Sequence, residues 1–409
     1  MLSALLAGCS GSNSKGTNGK TTLTFWTLFA GGDGDYMQAI IDDYNKSQDE
    51  VVIENVILEW GEYYTKLVTG VSSGNGPDIG ISHTSKLPEL MDAGVVTSLD
   101  TEADAIGLDW SSYNETALAA TIHDGKHYAI PIDTHSFILY YNKKLLRDAG
   151  LLGADEKPMM KDGEEGFVEF LSTLKSKLPN EISPYSLANT GEPYRLWWAL
   201  YHQLGGNDVI SDDGTKAEID KENAIKAAAF IRGLFESGFI KPNDPDFYQT
   251  FQSQQAAIMT TGVWATGTWE NTEGLEFGAM QIPAIYGSQT TWGDSHTIIL
   301  PITKDNDEKK RQAALKFMDW IGENGHMWAK AGHIPAKDKV VNTEGFKSLS
   351  YRGDYFEAAS NTAHAKTSTK TWAKNDLLNK YLDQIWTGEV TPEQGIDIIE
   401  AELNLLLSK

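Results

Sequence analysis

Residues 22–45 have the sequence TLTFWTLFAGGDGDYMQAIIDDYN, and this stretch decides the fold class. The apolar run at residues 22–26 predicts a buried strand, and a glycine-rich turn follows at residues 30–35. After the turn, apolar residues recur at i, i+3, i+4 and i+7 from Met37, which places them on one face of a helix. A strand, a glycine turn and an amphipathic helix in this order predict an α/β protein.

The alternation of strands and helices continues further along the chain. The sequence predicts strands at residues 51–58 and 78–82, and helices at residues 63–71 and 87–93. Strands that alternate with helices favour a mostly parallel sheet covered by helices on both faces. Because ligands of such sheets bind beyond the carboxyl ends of the strands, residues that directly follow a strand become candidates for a binding site.

The length of 409 residues favours two domain-sized units. A strand with a proline, residues 127–133, leads directly into an apolar strand at residues 137–141, and this junction is a candidate crossing between two lobes. The last helix is predicted to begin at Pro392 after Thr391 as N-cap. Its apolar stripe is Ile396, Ile399, Leu403 and Leu406. The remaining predicted elements are a strand at 256–259 and helices at 167–178, 194–204, 222–237 and 309–321.

The chain is acidic, which excludes one class of partner. It has 34 Lys and Arg residues against 57 Asp and Glu residues, a formal net charge of −23. A surface of this sign repels phosphate backbones, so the sequence predicts no nucleic-acid binding. No run approaches the roughly 20 apolar residues that a membrane-spanning helix needs.

The single cysteine, Cys9, ends the run Leu-Leu-Ala-Gly-Cys at residues 5–9, which resembles a bacterial lipobox. Residues 10–20 contain only Ser, Gly, Asn, Lys and Thr, a composition typical of a flexible tether. We therefore expect residues 1–19 to be lipobox and tether. The lipidated Cys9 would then hold the exported protein on the extracellular face of the cell membrane.

Six further motifs occur in a fixed order along the chain. They are LTFWTLF (23–29) with GGDGDYMQAIIDDYN (31–45), SSGNGPDIGISH (72–83), YAIPIDTHSFILYYNKKLL (128–146), GEPYRLWWALYHQLGG (191–206), AIMTTGVWA (257–265) and GDSHTIILPI (293–302). Taken together, they resemble the family-1 extracellular solute-binding proteins of ABC sugar importers, the relatives of maltose-binding protein. The likeness covers nearly the whole chain from about residue 22.

The resemblance implies an α/β, two-lobed periplasmic-binding-protein fold of class II type. Each lobe would be a mostly parallel sheet flanked by helices, with the ligand cleft between the lobes. Residues 20–132 and 295–341 would form the N-terminal lobe, and residues 133–294 and 342–409 the C-terminal lobe. Such lobes close around a ligand by hinge motion. The implied partners are the permease subunits of an ABC transporter, and the protein itself is expected to be a monomer.

Sugars present flat C–H faces that stack on aromatic rings and hydroxyl rims that bond to carboxylates, amides and imidazoles. By position, the candidates are Trp26 at the end of the first strand, where a core role is the alternative, and Asp33 in the glycine turn. His83 directly follows the third strand, and Asp133 and His135 lie at the candidate crossing.

The family resemblance adds candidates further along the chain. Glu192 and Tyr194 match the Glu-Pro-Tyr sugar contacts of the family, and Trp197 lies on the same helical face as Tyr194. Trp264 matches the stacking tryptophan of a Gly-x-Trp turn, and Trp372 corresponds to another stacking residue.

A polar, aromatic loop before an apolar strand supplies the last two candidates, Trp292 and Asp294. No cofactor or metal is predicted. The nine histidines form no HExxH pattern, and the Asp-rich segments at 211–213 and 243–246 lack EF-hand spacing and are interpreted as solvated turns.

The predicted ligand is a neutral mono- or oligosaccharide, and no catalytic residue is expected. A first alternative is a secreted glycosidase with Asp133 and Glu192 as its carboxylate pair, which would have to face each other across the sugar cleft. A second alternative is a surface sensor or adhesin that passes its ligand to a receptor.

Overall fold

The structure is a computed structural model that describes residues 19–30, 32–188, 191–244 and 246–409. The predicted lipidation site Cys9 lies outside these residues. Within the described ranges, no helix is both long enough and apolar enough to cross a membrane.

Strands and short helices alternate through most of the described chain. The strands are β1 (Thr21–Thr27), β2 (Val51–Ile57), β3 (Ile79–His83), β4 (Ile122–His123), β5 (Lys126–His127), β6 (Ile130–Pro131), β7 (Asp133–Asn142), β8 (Ser183–Ser186), β9 (Ala256–Gly262), β10 (Phe277–Gln281), β11 (Thr291–Asp294), β12 (His296–Ile299), β13 (Ile334–Pro335) and β14 (Thr362–Ala363). The α-helices are α1 (Asp33–Ser47), α2 (Trp60–Ser73), α3 (Leu87–Asp92), α4 (Asp100–Ile106), α5 (Glu115–Ala119), α6 (Lys143–Asp148), α7 (Gly163–Lys177), α8 (Glu192–Gln203), α9 (Lys221–Glu236), α10 (Phe247–Gln252), α11 (Thr266–Glu270), α12 (Glu308–Glu323), α13 (Gly325–Trp328), α14 (Glu344–Lys347), α15 (Arg352–Tyr355), α16 (Thr371–Trp386) and α17 (Pro392–Leu407).

The first sheet has the strand order β2-β1-β3-β12-β6. Strand β1 is parallel to both β2 and β3, as the alternation of strands and helices predicts. The predicted apolar face of α1, from Met37 to Tyr44, is buried and joins the core of this lobe. Strand β12 is antiparallel to β3 and β6, so the sheet is mixed. Pro131 lies in β6 at the sheet edge, where a missing N–H costs no ladder hydrogen bond.

The second sheet has the order β14-β11-β7-β9-β8, and β10 and β13 also pair with β7. Its central strand β7 is buried along its whole length and is antiparallel to β9, β10, β11 and β13. The prediction of a mostly parallel sheet is therefore wrong for this lobe. For β11 the reason is that β7 carries the chain into the lobe, whereas β11 carries the chain back out and must run the opposite way.

Three chain segments connect the two sheets, and we call them the three crossings. The first is β6–β7, the second is β11–β12 and the third includes β13. The first two run side by side, with Thr297 opposite Pro131 and Asp294 opposite His135. The third joins them where Pro335 lies opposite Asp133. All three crossings thus meet at the beginning of β7.

Hydrophobic packing divides along the same lines. One core uses residues between 23 and 132 and between 298 and 336. The others use residues between 137 and 285 and between 334 and 407. This division supports lobe boundaries after residues 132 and 294. The third change of core falls at residues 334–336, since Ile334 joins a core of the second lobe and Ala336 that of the first, and we retain the predicted boundary after residue 341 as a proposal.

The last helix begins as predicted and differs slightly at its far end. Thr391 and Gln394 form a capping box at the start of α17. The buried stripe runs through Ile396, Ile399 and Leu403 but ends at Leu407, because Leu406 is only half-buried.

Candidate functional site

A cavity of about 810 Å³ lies between the two lobes. The first lobe lines it with residues at the carboxyl ends of β1 and β3, among them Phe29 and His83, as expected for parallel strands. The second lobe contributes residues from the start of α8, from the turn after β9 and from α16. Nine of the sequence-predicted ligand-binding residues line this cleft: Asp33, His83, His135, Glu192, Tyr194, Trp264, Trp292, Asp294 and Trp372.

Two predicted tryptophans do not line the cleft. The ring of Trp26 lies against Gly70 of α2, at the margin of the first core. Trp197 is fully buried, donates its indole N–H to the Ala224 carbonyl at 3.0 Å and stacks on Tyr201 with ring centroids 5.1 Å apart. Both residues belong to the packing of their lobes, because their elements turn these side chains toward neighbouring helices.

Asp133 is the third predicted residue that the structure places elsewhere. Its side chain is fully buried at the meeting point of the three crossings and does not line the cleft. Its carboxylate accepts hydrogen bonds from the His296 backbone N–H at 2.9 Å and from the Trp328 indole at 2.7 Å. Asp133 therefore cannot form, with Glu192, the carboxylate pair of a glycosidase across the cleft.

Two tryptophans and an arginine form what we call the aromatic platform: Trp264, Trp292 and Arg195. The Arg195 guanidinium lies 5.3 Å from the Trp264 ring centroid and 4.7 Å from that of Trp292, within cation–π range of both. The Trp264 indole also donates to the Tyr248 hydroxyl at 2.7 Å, which fixes the ring. A Cβ at Gly262 would approach the Trp264 ring to 1.9 Å, so only glycine fits before this tryptophan.

Glu192 begins α8 beside the aromatic platform. Its Oε1 accepts hydrogen bonds from Arg195 at 2.6 Å and from the Thr261 hydroxyl at 3.3 Å. Its Oε2 is buried and has no hydrogen-bond partner within the described part of the chain. Burial raises the pKa of Glu192, and the Arg195 charge partly offsets this rise. This oxygen is a hydrogen-bond acceptor that the described part of the protein does not use.

Asp294 joins the second lobe to the first. It ends β11 and accepts hydrogen bonds from the hydroxyls of Thr84 and Ser85, which follow β3. Burial alone would raise its pKa, but the neighbouring His83 and His135 and these hydroxyl groups lower it. Trp372 of α16 also reaches the first lobe, because its indole donates to the Ser85 hydroxyl at 3.1 Å. Both contacts bring the lobes together beside the cleft.

Two of the histidines that line the cleft are held in the neutral form. Burial lowers the pKa of His135 to about 4, and it also lowers that of His83, whose Nδ1 lies 2.8 Å from the Tyr64 hydroxyl. Neutral imidazole offers one donor and one acceptor. The cleft therefore presents aromatic faces, carboxylates and neutral imidazoles.

Several cleft residues were missed by the sequence analysis. Arg195 lies directly after the Glu-Pro-Tyr motif, which was the available signal for it. On α16, polar side chains that line the cleft follow Trp372 at i+3, i+4 and i+7, a helical periodicity that the sequence alone displays. Besides Arg195, the missed residues with polar or aromatic side chains are Phe29, Trp60, Ser85, Tyr248, Thr268, His296, Asn375, Asp376 and Asn379.

Sequence comparison identifies known relatives of this chain. The family model of bacterial extracellular solute-binding proteins matches residues 30–328. The diacetylchitobiose binding protein DasA of Streptomyces coelicolor is 25% identical over 414 residues, covering 95% of this chain and 90% of DasA. The maltodextrin-binding protein MdxE of Bacillus subtilis is 23% identical over 400 residues, covering 95% of this chain and 84% of MdxE.

Solved structures share the fold. The GacH receptor of Streptomyces glaucescens, known unliganded and in complex with acarbose, superimposes with a TM-score of 0.81 at 18% identity. The match covers 95% of this chain and 99% of GacH. The predicted two-lobed periplasmic-binding-protein fold is thereby confirmed.

Proposed function

The chain belongs to the family of bacterial extracellular solute-binding proteins, and from this premise we propose that it binds a carbohydrate and delivers it to an ABC transporter permease. The aromatic platform carries the proposal, because Trp264 and Trp292 offer ring faces in a cleft beside the free oxygen of Glu192. Ring faces stack on pyranose C–H groups and carboxylates accept bonds from hydroxyls. By their names, DasA binds diacetylchitobiose and MdxE binds maltodextrin, and both ligands are sugars.

The proposed ligand is an oligosaccharide rather than a single sugar. A cavity of about 810 Å³ accommodates a ligand of more than one ring. Aromatic side chains line it at two places: the aromatic platform, and the pair Trp60 and Trp372, whose ring centroids lie 5.6 Å apart. Two aromatic positions support a ligand with at least two sugar rings.

Delivery requires a change that the permease recognises, and we propose hinge closure at the three crossings. Two hydrogen bonds between the lobes, from Trp372 to Ser85 and from Asn271 to Tyr36, join surfaces that would separate on opening. The protein would act without catalysis, as a monomer on the extracellular face of the cell membrane, held there by lipid on Cys9.

The proposal predicts a response to neutral oligosaccharides. In a panel that includes diacetylchitobiose, maltodextrins and acarbose, at least one sugar is expected to quench tryptophan fluorescence. The same sugar is expected to raise Tm, because a ligand that binds only the folded state stabilises it. Isothermal titration calorimetry gives the affinity. If no sugar of the panel gives a response in any of the three measurements, the proposal is contradicted. Release of reducing ends from a bound sugar would support the glycosidase alternative.

Glu192→Gln tests the acceptor beside the aromatic platform. The substitution keeps the shape but removes the charge, so a hydrogen bond to a charged acceptor becomes a neutral one, a loss of about 1 kcal/mol. Affinity for the sugar identified by the panel is expected to fall about fivefold to tenfold in calorimetric titration. The exposed Glu276→Gln is the matched control. Equal affinities of both variants and the wild type would exclude Glu192 from ligand binding.

A further inference from the structure

One carboxylate and three imidazoles gather where the three crossings meet. The hinge cluster consists of Asp133, His135, His296 and His333, all buried, and their potential ligand atoms lie within 4.8 Å of one another. From Asp133, Oδ1 lies 3.1 Å from His135 Nδ1, and Oδ2 lies 2.8 Å from His296 Nδ1 and 3.1 Å from His333 Nδ1. All three imidazoles thus turn the same ring nitrogen toward one carboxylate.

Hydrogen bonds to the Asp133 carboxylate do not provide a partner for every ring nitrogen of the hinge cluster. A carboxylate offers about four acceptor positions. Four donors already contact Asp133: the His296 backbone N–H, the Trp328 indole, and the Nδ1 atoms of His296 and His135. Nδ1 of the fully buried His333 is a fifth contact, and within the described residues this atom has no hydrogen-bond partner. The hinge cluster has one nitrogen more than the carboxylate accepts.

A cation between these groups removes the conflict. Three imidazole nitrogens and one carboxylate oxygen are a set of four ligands of the type that binds Zn²⁺. The surroundings of His333 match those of a metal ligand, since ligating histidines usually donate their other ring N–H to a carboxylate. His333 Nε2 lies 3.4 Å from Asp33 Oδ2, and the Trp328 ring stacks on the His333 ring at 4.4 Å and fixes its plane.

We propose that the hinge cluster is a binding site for one divalent transition-metal ion of the zinc class, which pins the three crossings together. The ligands come from all three: Asp133 and His135 from the first, His296 from the second, and His333 from the segment directly before β13 in the third. The ion would stabilise the hinge. Its ligands His135 and His296 also line the cleft, so the ion would lie beside the sugar site, but the proposal does not depend on which ligand the cleft takes.

Cobalt titration tests the site, because four-coordinate Co²⁺ absorbs strongly in the visible range and replaces Zn²⁺. The untagged full chain, freed of metal with a chelator, is expected to develop this absorption up to one equivalent and to lose it when Zn²⁺ is added. Saturating Zn²⁺ is expected to raise Tm by about 3 °C or more. His333→Gln and His135→Gln are expected to abolish the absorption and the rise in Tm. His123→Gln, whose ring packs near Tyr128 in the first lobe, is expected to retain both.

Circular dichroism shows whether each variant is folded, and if one variant is unfolded the other decides. The X-ray absorption spectrum of the zinc-loaded wild type gives an answer that needs no variant, with three imidazoles expected among four ligands. A wild-type chain without the visible absorption at millimolar Co²⁺ would overturn the proposal. So would an absorption that survives in the folded cluster variants, or a zinc spectrum with fewer than two imidazoles.

Discussion

Replacing Trp264 with alanine is expected to lower the affinity for the bound sugar by roughly 30- to 150-fold. The ring faces the cleft and is fixed from two sides, by the Tyr248 hydroxyl at 2.7 Å and the Arg195 guanidinium at 5.3 Å. A preorganised aromatic ring at the centre of a binding site contributes about 2–3 kcal/mol, which converts to this factor. The truncation also leaves Arg195 without one of its two aromatic neighbours.

Calorimetric titration with the sugar identified by the panel measures the loss. Trp264→Phe keeps a ring face and is expected to retain most of the affinity. Trp110→Ala is the control for removing a tryptophan outside the cleft, since its ring stacks on His127 instead. If Trp264→Ala binds within about threefold of the wild type, the aromatic platform is not the sugar site.

Asp133→Ala is expected to lower the free energy of unfolding by about 3–5 kcal/mol, since removing one partner from a buried charged network leaves the others unpaired. The variant loses the acceptor for the Trp328 indole and for the His296 backbone N–H. Burial alone would raise the pKa of Asp133, but the charges of His296 and His333 hold it well below its usual value, so the carboxylate is ionised at neutral pH.

Urea and thermal unfolding with a chelator present isolate this effect from metal binding. Asp43→Ala removes an exposed carboxylate from α1 and is expected to change stability by no more than about 0.5 kcal/mol. An Asp133→Ala variant that unfolds at the same urea concentration and temperature as Asp43→Ala would show that the three crossings do not depend on this carboxylate.

Neighbouring parts of the molecule have separate proposed roles. The aromatic platform and Glu192 lie on the second lobe and line the cleft. The hinge cluster lies where the lobes join, and Trp372 and Asp294 reach from the second lobe to the first beside the cleft. The proposed sites of ligand binding and of closure are therefore adjacent, an arrangement in which an occupied cleft would favour contact between the lobes.

The sequence identified cleft residues correctly where a local motif fixes their position. Gly262 must be glycine because the Trp264 ring occupies the space of a side chain, so the Gly-x-Trp turn was visible in the sequence. Trp26 and Trp197 have no such local signature. Whether a tryptophan beside a strand end or on an aromatic helix faces a cleft or a neighbouring helix depends on distant packing, and here both face inward.

The sequence by itself determined the order of strands and helices, the α/β class and the family, because hydrophobic periodicity and turn motifs are local properties of the chain. Only the tertiary structure decided which residues meet. Asp133 contacts His296 and His333 through strand register at the three crossings, across 163 or more positions of sequence. The tertiary structure also decided that β7 and β11 of the second sheet run in opposite directions, since the chain enters this lobe along β7 and leaves it along β11. Pairings over such separations are set by which surfaces bury each other, and no local pattern encodes them.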